Sequence, residues 1–131
     1  MAALTPATMV RNSYVDFSPT ALTSDGGTFT FDMPVDDKFF IYCELTSTTN
    51  GNDLIFTVSA STSPVAWQRG AGALTVTMSS TGKTAAYRAL IGPIETARFM
   101  GSTGQITVTV TSSGSPTGFI GVAKMPYVVY S

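Results

Sequence analysis

The residue types that carry most enzyme chemistry are scarce in this chain of 131 residues. There is no histidine, which removes the commonest general base and metal ligand and, with it, every Ser-His-Asp or Cys-His catalytic arrangement. The single cysteine, Cys43, alternates with apolar residues along Phe39–Leu45, so we expect a buried thiol and not a nucleophile. One cysteine cannot form an internal disulfide, which suits a protein made in a reducing cytoplasm.

The carboxylates are weak candidates for catalysis or metal binding. Glu44 and Glu95 are the only glutamates, and nothing in the spacing of the acidic residues indicates the carboxylate pair of a glycosidase. Asp32, Asp36 and Asp37 could bind a hard cation together with Asn52 or Asp53, but they do not follow a calcium-loop pattern and are more typical of a solvated turn. No glycine-rich phosphate loop is present. We therefore predict a protein without enzymatic activity, metal or other cofactor.

Aromatic side chains outside the regular segments are the better candidates for binding. Trp67 lies between Pro64 and Arg69 in a predicted loop, where its ring could stack on a sugar, anchor an interface or cap the end of the fold. We favour the cap. Tyr127 and Tyr130, near the end of the chain, leave the same alternatives open.

The composition excludes several classes of protein. Hydrophobic residues make up 44% of the chain and charged residues only 11%, while 21 threonines and 14 serines supply small hydroxyls. Disordered chains are less hydrophobic, and helical bundles are richer in charged residues. No apolar stretch is long enough to span a membrane, and a net charge of −1 gives no basic excess for binding nucleic acid. The first residues also lack the features of a secretory signal.

The few charges are divided unevenly along the chain. Residues 1–60 hold seven acidic and two basic residues, whereas residues 61–131 hold one acidic and five basic residues. One interpretation is that strands from the two halves pair and neutralise each other within the chain. The other is that acidic and basic faces complement each other between subunits.

Alternation of apolar and polar residues dominates the sequence and predicts β-strands. Seven to eight short strands separated by polar turns indicate an all-β fold, an antiparallel β-sandwich or jelly-roll-like domain. In Gln105–Thr111, for example, isoleucine and valine should face inward and threonine outward. The predicted strands lie within Thr28–Phe31, Phe39–Leu45, Leu54–Val58, Leu74–Met78, Ala85–Ile91, Gln105–Thr111 and Gly118–Met125, with Tyr127–Tyr130 closing the chain.

Local signals give two more specific expectations. Asn50-Gly51 lies between two alternating runs, which predicts a hairpin that pairs Phe39–Leu45 with Leu54–Val58. Ala85–Ile91 could be a helix on propensity, but its neighbours favour a strand that ends at Gly92-Pro93.

The first 26 residues differ from the rest and predict a domain boundary. Tyr14–Phe17 is their only strand-like stretch, and prolines and a glycine turn interrupt the others. We expect residues 1–26 to form an extended arm, either donating a strand to a neighbour or partly mobile, and residues 27–131 to form the single β-sandwich domain.

One segment resembles a known family. Gly92-Pro93-Ile94-Glu95-Thr96-Ala97-Arg98-Phe99, together with the closing strand from Gly118 to Pro126, is similar to the C-terminal part of small head decoration proteins (cement or auxiliary capsid proteins) of tailed bacteriophages. The resemblance covers roughly residues 91–126. Within it, Glu95 and Arg98 are the polar candidates, as an ion pair either within the chain or between subunits.

The resemblance implies a virion protein on the outside of the phage head. Such a protein binds the major capsid protein, bridges neighbouring capsid subunits and commonly forms homotrimers. A tail or fibre component and a carbohydrate-binding module remain alternatives. The residues that we predict at an interface are Tyr14, Phe17, Trp67, Glu95, Arg98, Tyr127 and Tyr130.

Overall fold

The computed structural model describes residues 2–9, 14, 17–22, 26–33, 37–47, 53–60, 72–79, 87–101, 104–112 and 117–125. These residues form ten strands and one 3₁₀ turn, Thr96–Arg98, and no α-helix. None of them forms a helix that is long and apolar enough to cross a membrane. The strands are β1 (Ala2–Ala3), β2 (Ala7–Thr8), β3 (Thr20–Ala21), β4 (Gly26–Asp32), β5 (Lys38–Ser47), β6 (Leu54–Val58), β7 (Leu74–Met78), β8 (Tyr87–Glu95), β9 (Gln105–Thr111) and β10 (Thr117–Met125).

Two sheets pack face to face, so the predicted all-β sandwich is confirmed. Sheet A has the strand order β1-β4-β9-β6-β7, and sheet B has the order β2-β10-β5-β8, with β3 also paired to β10. The long strands pair antiparallel, and only the two-residue strands β1 and β2 pair parallel to their neighbours. The core between the sheets is built from alternate residues of each strand, including Phe29, Phe31, Phe39, Ile41, Cys43, Leu45, Phe56, Val108 and Ile120.

The outer surface of sheet A confirms the predicted role of threonine. In β9 the isoleucine and valines are buried and the threonines between them are not. The register places Thr75, Thr57, Thr109 and Thr28 in one row across β7, β6, β9 and β4. Because threonine is β-branched, it favours the strand conformation, and its hydroxyl remains hydrated. A sheet surface made of such rows is therefore stable in contact with solvent and needs no further layer packed on it.

The predicted hairpin between Phe39–Leu45 and Leu54–Val58 is wrong. β5 lies in sheet B between β10 and β8, whereas β6 lies in sheet A between β7 and β9. The chain therefore passes from one sheet to the other between Ser47 and Leu54. Both strands carry one apolar side, and those sides meet across the sandwich. Asn50-Gly51 itself lies outside the described residues. As a sequence signal it predicts a turn, and a turn can join two sheets as well as two neighbours within one sheet.

The strand predicted to end at Gly92-Pro93 continues to Glu95. β8 pairs with β5 through a register shift between Phe39 and Ile41, and Gly92 adopts φ +135° at that irregularity. A Cβ atom there would lie 2.9 Å from the Phe39 carbonyl oxygen, so both the conformation and the space require glycine. Pro93 is tolerated because no described strand pairs with β8 on its other side.

The N-terminal residues run along the edges of both sheets. β1 pairs with β4 in sheet A, and β2 and β3 pair with β10 in sheet B, so the chain bridges the two layers near buried Leu4. The Leu4 N–H donates to the Thr30 carbonyl oxygen (2.8 Å). Tyr14 and Phe17 lie outside any strand, while Val15 and Asp16 lie outside the described residues, so the strand-like stretch is not a strand at either end. Among its described residues the arm contributes the two-residue strands β1, β2 and β3.

Candidate functional site

The outer surface of sheet B is mostly apolar, unlike the threonine-covered outer surface of sheet A. Its central row runs from Leu90 on β8 through Tyr42 on β5 to Gly121 on β10. The next row pairs Phe40 on β5 with Ala123 on β10. These side chains point away from the core because their inward-facing neighbours alternate with them along each strand.

Phe17 of the arm completes this surface. Its ring lies over Gly121 and meets the Tyr42 ring edge-on, with the ring centroids 5.2 Å apart and the planes at 82°. A Cβ atom at position 121 would overlap the Phe17 ring. Gly121 is therefore small because an aromatic side chain from a distant part of the sequence occupies the position of its missing side chain.

These residues, with Met9 and Ala7 from the arm, form what we call the apolar face. Leu90 is 68% exposed and Met9 49% exposed. A pocket of about 200 Å³ opens between the arm and the sheet, and its lining is formed by Ala7, Met9, Phe17, Tyr42, Leu90 and Ala123. Exposed apolar surface that is gathered on one side of a domain is characteristic of a binding surface.

An ion pair borders the apolar face at one end of β5 and β8. Arg88 Nε lies 3.5 Å from Glu44 Oε1, and the Tyr42 hydroxyl donates to Glu44 Oε2 (3.0 Å). Desolvation and the bond to Glu44 both raise the pKa of Tyr42. The Arg88–Glu44 pair joins the basic half of the chain to the acidic half, as the interpretation of neutralisation within the chain expects.

A second ion pair follows the end of β8. Arg98 Nε lies 2.7 Å from Glu95 Oε2, so the structure contains the local one of the two pairings expected for these residues. The hydrogen bond from Arg98, and then its positive charge, lower the pKa of Glu95. Lys38 on β5 lies opposite Glu95 and lowers it further. Both partners of the Arg98–Glu95 pair are more than half exposed, so it contributes little to stability.

The other residues predicted at an interface do not lie together in the structure. Phe17 lies within the apolar face, as described above. Tyr14 is 85% exposed. Trp67, Tyr127 and Tyr130 lie outside the described residues. Sequence reasoning missed Leu90, Met9 and Tyr42 as members of a surface, although the alternation in Phe39–Leu45 already predicts that Tyr42 points away from the core.

The candidate cation site does not assemble among the described residues. Asp32 is exposed on β4 and Asp37 is buried before β5, while Asp36 lies outside the described part of the chain. Within that part, no group of three or more cysteine and acidic side chains is placed to hold a metal ion.

Cys43 lies in the core, as predicted, with no exposed surface. Desolvation, with a smaller contribution from Glu44, raises the pKa of its thiol to about 12. The reactive thiolate is therefore nearly absent at physiological pH.

We expect Cys43 to resist thiol-specific reagents in the folded protein, even at mildly alkaline pH, because the reagent must wait for unfolding. Mass spectrometry after timed exposure to a maleimide measures this directly. The same protein in concentrated guanidinium chloride is the control and should be labelled at once. Equal labelling rates in the two states would contradict the buried position of the thiol.

Comparison with known proteins adds no relative. The chain matches no protein-family model, and no curated protein or solved structure is detectably similar to it.

Proposed function

We propose that this chain is a non-enzymatic structural subunit of a virion, a decoration protein that binds the outside of a tailed-phage head. It stabilises the head by bridging copies of the major capsid protein. In this role the protein is made in the host cytoplasm and acts entirely through contacts with other proteins.

The observation that carries the proposal is the exposed apolar face. A protein that remains alone in solution rarely leaves residues such as Leu90, Met9 and Phe17 together at its surface. With a net charge of only −1, little electrostatic repulsion opposes association. A subunit whose surface is covered in an assembly has both properties.

The resemblance of residues 91–126 to head decoration proteins supplies the particular assembly. In the structure this segment contains most of β8, the 3₁₀ turn, β9 and β10, and it includes the Glu95–Arg98 pair. By the same resemblance the subunits form homo-oligomers, with the trimer as the expected state.

The test is binding to empty, expanded capsids that lack the protein. Purified protein should cosediment with them to a fixed saturation level and raise their thermal stability. Mass spectrometry of whole virions should then find hundreds of copies per particle. Absence of binding, with the protein found in purified tails, would instead indicate a tail or fibre component. Binding to a glycan array, lost in Trp67→Ala, would indicate a carbohydrate-binding module.

A further inference from the structure

We infer that the apolar face is an interface between two copies of this chain, packed face to face about a two-fold axis. The inference rests on the proposed function, since it names the partner that covers the surface of an assembly subunit, but it replaces the trimer that the resemblance implies with a two-fold pair of subunits. The order of charges and side chains along β5 and β8 points to this partner.

At each end of the apolar face, β5 and β8 carry charges of opposite sign, and the signs are exchanged between the two strands from one end to the other. At one end, Glu44 on β5 lies opposite Arg88 on β8; at the other, Lys38 on β5 lies opposite Glu95 on β8. The acidic residue is thus on β5 at one end and on β8 at the other. All four belong to the outer side of sheet B, and the apolar rows lie between them.

This order makes the face complementary to itself. Consider a two-fold axis that lies between the two copies, perpendicular to the strands and at the level of Ile41 and Ile91. It places β5 of one copy over β5 of the other, and the two strands run in opposite directions. Glu44 then faces Lys38 of the partner subunit, and Arg88 faces Glu95 of the partner subunit. Every charge contact across the interface joins opposite signs.

The apolar side chains fit the same operation. Leu90 and Gly92 lie on either side of Ile91, at the level of the axis. Leu90 therefore projects towards Gly92 and Pro93 of the partner subunit, of which Gly92 offers no side chain to obstruct it. Tyr42 is brought towards Phe40 of the partner subunit. A surface that binds a different protein needs no such symmetry of charge and shape, which is why we assign it to a second copy.

The first experiment measures self-association of the purified protein by sedimentation equilibrium. Leu90→Glu should weaken association about 30-fold or more, because it places a charge at the centre of the buried patch. Ile55→Glu is the matched control: Ile55 is a 38% exposed aliphatic residue on a strand of sheet A, away from the apolar face. It should leave association unchanged. Circular dichroism checks that both variants fold.

The second experiment tests the orientation through charge reversal. Lys38→Glu and Glu44→Lys should each weaken association, because each sets like charges face to face across the interface. The double variant restores opposite signs there and should associate more tightly than either single variant. The two residues are six positions apart on β5, roughly 20 Å along the strand, so they do not interact within one chain. Their coupling can only arise between copies.

Each outcome separates this inference from the proposed function. Loss of association in Leu90→Glu, with rescue in the double variant, supports the inference even if the protein binds no capsid. A wild-type protein that stays monomeric, a trimer that Leu90→Glu leaves intact, or additive effects of the two charge reversals would overturn it. So would a Leu90→Glu variant that still self-associates but no longer binds capsids, because the face would then belong to the capsid.

Discussion

Replacement of Phe39 by alanine is expected to lower the free energy of unfolding by about 3–5 kcal/mol. Phe39 has no exposed surface, and its ring meets the Phe31 ring edge-on, with centroids 5.2 Å apart. Phe39 belongs to sheet B and Phe31 to sheet A, so this contact joins the two layers. Truncation would remove the apolar contacts of the ring and leave a cavity between the two sheets. The sheets cannot collapse into this cavity, because each strand is held in place by hydrogen bonds to its neighbours within the sheet.

The matched control for this prediction is Phe40→Ala, one position along the same strand. Phe40 is half-buried on the outer side of sheet B, so its truncation loses less apolar contact and leaves no enclosed cavity. Urea denaturation followed by circular dichroism should show a large drop in the midpoint for Phe39→Ala and a drop less than half as large for Phe40→Ala. Equal losses would mean that the core does not lie between the sheets as described.

The alternation of residue types predicted the seven longer strands, β4 to β10, whereas the short strands β1, β2 and β3 were not predicted. In β5, Ile41, Cys43 and Leu45 were expected to face inward, and all three are buried. This succeeds because the period of two is a property of each strand alone. Which strand pairs with which, in contrast, does not depend on the sequence of one strand alone. Nothing in β5 or β6 distinguishes a partner in the same sheet from one across the sandwich, and so the hairpin prediction failed.

In the candidate site, too, local features could be predicted from the sequence and features that depend on strand pairing could not. The Glu95–Arg98 pair could be anticipated because its members are three residues apart. The apolar face could not, since Leu90, Tyr42 and Phe17 come from three distant segments and meet only through the registers of β8, β5 and β10. Two residues carried a signal in the sequence: Tyr42, which the alternation places on the outer side, and Gly121, since a glycine within a strand often marks the close approach of another group.

Replacement of Gly118 by alanine is expected to be the other severe change. Gly118 lies at the register shift where β10 meets β5, and a Cβ atom there would overlap the Glu44 carbonyl oxygen and lie 3.1 Å from Leu45 Cα. All of these contacts are with backbone, which cannot rotate away as a side chain can. The two central strands of sheet B would have to separate near the start of β10, and we expect a loss of about 3 kcal/mol, the upper end of the usual cost of overpacking.

Gly121→Ala is the control that makes this prediction specific, because it adds the same methyl group to the same strand. There the three atoms nearest to the added carbon all belong to the ring of Phe17, a side chain of the arm that can turn outwards. Part of the cost is offset because alanine restricts the unfolded chain more than glycine does, so we expect a net loss of about 1 kcal/mol or less. Urea denaturation compares the two variants, and limited proteolysis should show that the arm is cleaved faster in Gly121→Ala alone. The two positions differ in that the added carbon meets rigid backbone at Gly118 and a movable side chain at Gly121. Equal destabilisation by the two substitutions would therefore contradict the close contact of Gly118 with the β5 backbone.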